Sequence, residues 1–170
     1  MYQSTKILEL GSCAFRQWKS APGEYPDGYT LTKRNSKCYA LHGYLLRGKF
    51  WFNADKLDHR NWIFDFGSLR PLKEIFQKQF DHCLICDQGD PLLPLFQELH
   101  NKGGCDLRIM NGVGIEKTAE WCYHTAQQFI DQETNGRCWV SKVEVWEHEL
   151  NSAIYIPPKG DPFKYFPTHE

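Results

Sequence analysis

The chain has 170 residues, 41% of them apolar and 24% charged, with a formal net charge of −1. That is enough for one domain with a real core and short for two, and the charge balance points away from nucleic acid or an anionic membrane as a partner. Seven cysteines at irregular spacing argue against a disulfide framework and for reduced thiols in a cytoplasmic protein, and no apolar run suggests a signal peptide or a membrane span.

In chain order, Lys6 to Phe15 reads as a first strand, with Ile7, Leu8, Leu10, Cys13 and Phe15 among small residues. Residues 19–37 hold two prolines and two glycines and read as a long loop, a length that is usually functional or mobile. From Leu41 to Asn53 the pattern alternates: His42, Tyr44, Leu46, Gly48, Phe50 and Phe52 share one face, and Gly43, Leu45, Arg47, Lys49 and Trp51 the other. The period then changes. Leu69, Leu72, Ile75, Phe76 and Phe80 recur at helical spacing, with Ser68 as expected N-cap and Pro71 in the first turn. Residues 89–111 suggest a short helix and a short strand. A second long helix is expected from near Glu116 to about Glu133, burying Ala119, Cys122, Ala126, Phe129 and Ile130 and ending at Asn135-Gly136. Alternation returns in "CWVSKVEVWEH" and "NSAIYI".

This order predicts an α+β sandwich: a four-stranded antiparallel sheet with two helices on one face. One domain is expected over residues 1–156, with residues 157–170 as a proline-rich tail. An aromatic share of 15%, spread over both faces of the second strand, suggests that an oligomer closes several sheets into a barrel and hides the second face.

Four features could carry chemistry: Cys38 with His42, the pair Asp81-His82 after the first helix, Glu116 opening the second, and Glu147 in the "VEVWEH" strand. Each has a bland reading as a packed thiol, a solvated helix end, a helix-dipole partner or a surface carboxylate. Glu147 is the sharpest, because it follows Val143 and Val145 along a strand, and a shielded carboxylate needs a donor partner. The CxxC at Cys83–Cys86 is one half-site and reads as packing.

Their order along the chain resembles that of the 6-pyruvoyl- and 6-carboxy-tetrahydropterin synthases, from about Lys6 to Tyr155. The family's Cys-x-x-x-His-Gly-His is matched by Cys38 through Tyr44 except at its last position, and its Asp-Phe-x-x-Leu-Lys by "DFGSLR" from Asp65. Its Leu-Asp-His is similar to Phe80-Asp81-His82, its Thr-x-Glu to Gly114-Ile115-Glu116, and its closing Glu-Thr and Ile-Tyr to Glu147-His148 and Ile154-Tyr155. The resemblance implies a tunnel fold, with trimers closing a twelve-stranded barrel, trimers stacked into hexamers, and sites between subunits. It implies Cys38 as the proton-abstracting thiolate, Asp81 and His82 as its relay, and Glu147, with help from Glu116, as the anchor of a pterin or purine-derived ring. The substrate so implied is 7,8-dihydroneopterin triphosphate, and the product would feed tetrahydropterin or 7-deazaguanine (queuosine-type) synthesis. The alternative is a non-catalytic or repurposed binder of such a ring.

The family also holds a zinc with three histidines. Here two of those positions are Phe15 and Tyr44, and only His42 remains. A catalytic zinc normally has three protein ligands and an open position. The expectation is therefore zinc absent or substoichiometric, with a rebuilt Cys13–His42 site as the competing possibility and Arg16 or Tyr44 as candidate replacements for the metal's charge.

Overall fold

The computed structural model describes residues 1–32 and 36–158. Its elements are β1 (Tyr2–Phe15), β2 (Gly23–Glu24), β3 (Thr30–Leu31), β4 (His42–Ala54), α1 (Arg70–Phe80), β5 (Cys83–Asp87), α2 (Leu93–Asn101), β6 (Asp106–Met110), α3 (Ile115–Thr134), β7 (Cys138–His148) and β8 (Asn151–Tyr155). The main sheet is mixed and six-stranded, in the order β6-β5-β1-β4-β7-β8. This corrects the four-stranded antiparallel sheet with two helices. The antiparallel run β1-β4-β7-β8 exists, but β5 and β6 extend it in parallel beyond β1, and α2 makes a third helix.

The missed strand has a physical explanation. β5 is "CLICD", buried at four consecutive positions, because a parallel strand covered on both faces loses the alternation that marks a half-exposed one. The proline-rich tail lies outside the described residues from position 159 onward.

On the helix-covered face, Leu46, Phe50 and Phe52 of β4 meet Leu72, Phe76 and Phe80 of α1 and Ala119, Cys122, Tyr123, Ala126 and Ile130 of α3 in one core. Phe50 stacks on Phe76 with centroids 5.2 Å apart, and Phe52 meets Phe64 edge-on at 4.7 Å. Phe50 and Phe52 are thus fully buried within one chain and need no oligomer to hide them. Of the aromatic residues that suggested a barrel, Trp51 points outward, and Lys49 and Lys142 cover its ring at 4.8 and 4.4 Å.

The helix ends differ in how well their signals hold. Asn135 at φ 49° and Gly136 at φ 73° terminate α3 as expected. Ser68 is not the N-cap of α1. A 3-10 turn over Phe66–Leu69 comes first, capped by Asp65, whose Oδ1 accepts from the Gly67 N–H at 2.8 Å.

Candidate functional site

β1 and β4 run antiparallel, with Phe15 opposite His42 and Cys13 opposite Tyr44, so the C-terminal end of β1 and the start of β4 meet at one end of the sheet's two central strands. Cys38 sits just before β4 on a 3-10 turn, Lys37–Tyr39. The Ser36 hydroxyl accepts from the Cys38 N–H at 3.1 Å, and the Cys38 carbonyl accepts from the Gln17 N–H at 2.7 Å. His42 donates from Nδ1 to the Ala40 carbonyl at 2.8 Å, which leaves Nε2 as the acceptor of its neutral ring.

From the other side, Gly114 at φ 102° opens α3 and brings Glu116 into the first turn. The β7–β8 hairpin brings Glu147, whose Oε1 accepts from Asn151 Nδ2 at 2.8 Å and lies 3.6 Å from His148 Nε2. The Leu150 N–H donates to His148 Nδ1, so the proton of the neutral His148 ring lies on Nε2, facing that carboxylate. Cys38, His42, Glu116 and Glu147, with Phe15, Gln17 and Asn151, line one cavity of about 470 Å³, a size that suits a bicyclic ring.

Asp81 and His82 do not line it. They follow α1 on the far side of β1, where Asp81 Oδ1 accepts from the Ser12 N–H at 3.1 Å and His82 N–H donates to the Ser12 carbonyl at 2.7 Å. Ser12 is three positions from Phe15, which lines the cavity, on the order of 10 Å along the strand. The pair is nevertheless built with care. β1 bulges between Glu9 and Gly11, and a Cβ at Gly11 would lie 2.5 Å from the Asp81 Cα. His82 takes φ 56°, unusual for a residue with a Cβ, and its side chain is 87% exposed with Nδ1 3.1 Å from Asp81 Oδ1. The Ser12 N–H, then His82, hold the Asp81 carboxyl below its usual range. The His82 ring is thus held by Asp81 through Nδ1 and lies exposed outside the cavity lining.

The zinc positions hold an aromatic cluster. Phe15 lies 5.0 Å from His42 and 6.2 Å from Tyr44, and Tyr44 lies 5.9 Å from His148, between ring centroids. Burial, then Glu147 and Cys38, push the Tyr44 phenol up, so it keeps its proton. Cys13 is buried opposite Tyr44, and burial and neighbouring Cys83 push its free thiol up to about 12. No group of three or more metal-ligating His, Cys, Asp or Glu side chains occurs among the described residues. These residues do not fit the family's zinc. Arg16, a candidate replacement, is committed elsewhere: its Nε lies 3.1 Å from Asp90 Oδ2, whose side chain is fully buried.

Sequence reasoning missed Gln17, Asn151 and His148. The hairpin residues could have been suspected from their closeness to Glu147; Gln17 carries no local signal.

A mixed sheet with α1 and α3 on one face and α2 on the other is the class of fold seen in the pterin synthases, and here a thiol and two carboxylates converge near the ends of its central strands. The model of the family named 6-pyruvoyl tetrahydropterin synthase matches residues 22–158, and the chain belongs to that family. It is 26% identical over 132 residues to 6-carboxy-5,6,7,8-tetrahydropterin synthase of Aquifex aeolicus, covering 75% of this chain and 80% of that one. The Rickettsia conorii enzyme of the same name is 32% identical over 88 residues, which is 51% of this chain and 62% of that protein. Among solved structures, an uncharacterized protein from Wolinella succinogenes superposes with a TM-score of 0.72 at 21% identity, over 92% of this chain and 98% of that one. The 6-pyruvoyl tetrahydropterin synthase of Plasmodium vivax follows at 0.57 and 16%, over 91% and 98%. At these identities the solved structures speak for the fold alone.

Proposed function

We propose that the protein is a lyase of the tetrahydropterin synthase type, acting on 7,8-dihydroneopterin triphosphate through a site completed between subunits. The observation that carries this reading is the convergence of Cys38, Glu116 and Glu147 on one cavity of ring size. Glu147 accepts two hydrogen bonds from a ring N–H and its exocyclic amino group, a bidentate match that orients the ring and leaves its substituent toward Cys38. The Cys38 thiolate takes a proton from the substituent carbon next to the one that bears the triphosphate, forming S–H; the electron pair left on that carbon forms a C=C bond as the C–O bond breaks and triphosphate leaves. A neighbouring copy supplies Asp81 and His82, with Asp81 holding the imidazole so that Nε2 relays that proton. No metal takes part, and the Tyr44 hydroxyl donates to the oxygen on which negative charge develops.

Purified protein incubated with 7,8-dihydroneopterin triphosphate should consume it, as followed by chromatography of the products, and Cys38→Ala should abolish this. An active Cys38→Ala variant would remove Cys38 from the chemistry. A second reading, a binder that has lost catalysis, is favoured by the aromatic cluster at the zinc positions. It requires tight binding of neopterin with no turnover of the triphosphate.

A further inference from the structure

We propose that Gln17 is a positioning residue, a clamp that fixes the Cys38 turn and the N-terminus of α3 at one separation. The two groups of site residues come from segments far apart in sequence, and Gln17 bonds to both. Its backbone N–H donates to the Cys38 carbonyl at 2.7 Å, and its amide nitrogen Nε2 donates to the Val113 carbonyl at 3.0 Å.

Gln17 is itself held on either side. Its carbonyl accepts from the Ser20 N–H at 2.9 Å and from the Ser20 hydroxyl at 2.7 Å. The preceding Arg16 is anchored on buried Asp90. A residue fixed on both flanks can transmit position through its side chain, because little of the bond is lost to backbone freedom.

The glycine at 114 fits this role. A Cβ there would lie 2.2 Å from Gln17 Nε2 and 3.4 Å from Glu116 Oε2. The Gln17 amide and the Glu116 carboxylate thus crowd the same point, which only glycine at φ 102° leaves open. The clamp therefore touches the residue that opens α3 and reaches the neighbourhood of the carboxylate facing the ligand.

The role of the clamp in ligand binding rests on the pterin-site reading; the clamp itself rests on geometry. Gln17→Met keeps the length of the side group and the backbone N–H but removes the amide donor. Three measurements on full-length protein decide: calorimetric affinity for neopterin, amide hydrogen exchange over residues 112–118, and the alkylation rate of Cys38 by iodoacetamide. The expected result is about 3- to 10-fold weaker neopterin binding, the size of one lost neutral hydrogen bond. Exchange over residues 112–118 should be faster, and Cys38 alkylation unchanged because its backbone partner remains. Unchanged exchange would overturn the clamp, and faster exchange with unchanged affinity would reduce it to a structural tie with no role in the site. If the unaltered protein binds no neopterin, the pterin reading falls, and exchange alone then decides the clamp.

Discussion

Glu147 is half-shielded, with one oxygen engaged by Asn151 and His148. That arrangement holds the carboxylate in one orientation before a ligand arrives, which lowers the ordering cost of binding. Glu147→Ala is expected to cost about 2–5 kcal/mol of ring affinity, because charged hydrogen bonds vanish and the ring's donors are left unpaired. Calorimetry with neopterin checks this, and unchanged affinity would reject the assignment. At the zinc positions, the phenol of Tyr44 keeps its proton and Phe15 has no donor atom at all. Elemental analysis should therefore find clearly less than one zinc per subunit and activity insensitive to a chelator. Stoichiometric zinc, with activity lost to a chelator and restored by the metal, would sink this.

Between elements, α3 is tied to β7 through a buried side chain. The Gln127 amide is buried, and its Oε1 accepts from the Val140 N–H at 2.8 Å. β7 slips by one residue against β4 just beyond Val140, since Trp51 faces Lys142 while Phe52 faces Val140. The amide thus satisfies a buried donor beside this bulge. Gln127→Leu should lower stability by about 1–3 kcal/mol, because the donor is stranded while the shape is nearly kept. Denaturant unfolding measures it, and a loss well under that range would mean that the sheet re-registers to absorb the donor.

For the whole molecule, the placement of Asp81 and His82 has a direct consequence. If Nε2 of His82 serves a neighbouring copy, Cys38→Ala and His82→Ala subunits, each inactive alone, should regain activity when unfolded and refolded together. Mixtures no more active than either parent would put relay and thiol to work in one protomer or remove the relay. Buried thiols give a second property of the whole. Cys13 is raised to about 12 and Cys86 to about 11, from an ordinary value of 9.0, mainly by burial. Their folded values exceed their unfolded ones, so this stability is fully present below about pH 9 and is lost as pH rises toward the folded values. The melting temperature should fall as pH rises from about 9 toward about 11, and calorimetry should find a shallower fall in Cys13→Ala. Equal slopes would show that other groups govern the alkaline loss.

Much of this was legible along the chain, because alternation and helical spacing report which side of an element faces the core. β4, α1 and α3 follow from that pattern, and the Asn135-Gly136 stop follows from backbone sterics alone. The grouping of Cys38, His42, Glu116 and Glu147 was implied by motif order, and the missing zinc donors could be read from Phe15 and Tyr44 without coordinates. Other features needed the tertiary structure. β5 hides because burial on both faces erases its period, and Phe50 and Phe52 proved to be core because α1 and α3 lie over them. Gln17 became visible only when the ends of β1 and α3 were brought together, and Asp81 and His82 proved to lie outside the cavity lining, bonded to Ser12 of β1. Sequence determines which face of an element is apolar; what lies across a strand or against a turn depends on packing, which brings together residues that no local pattern links.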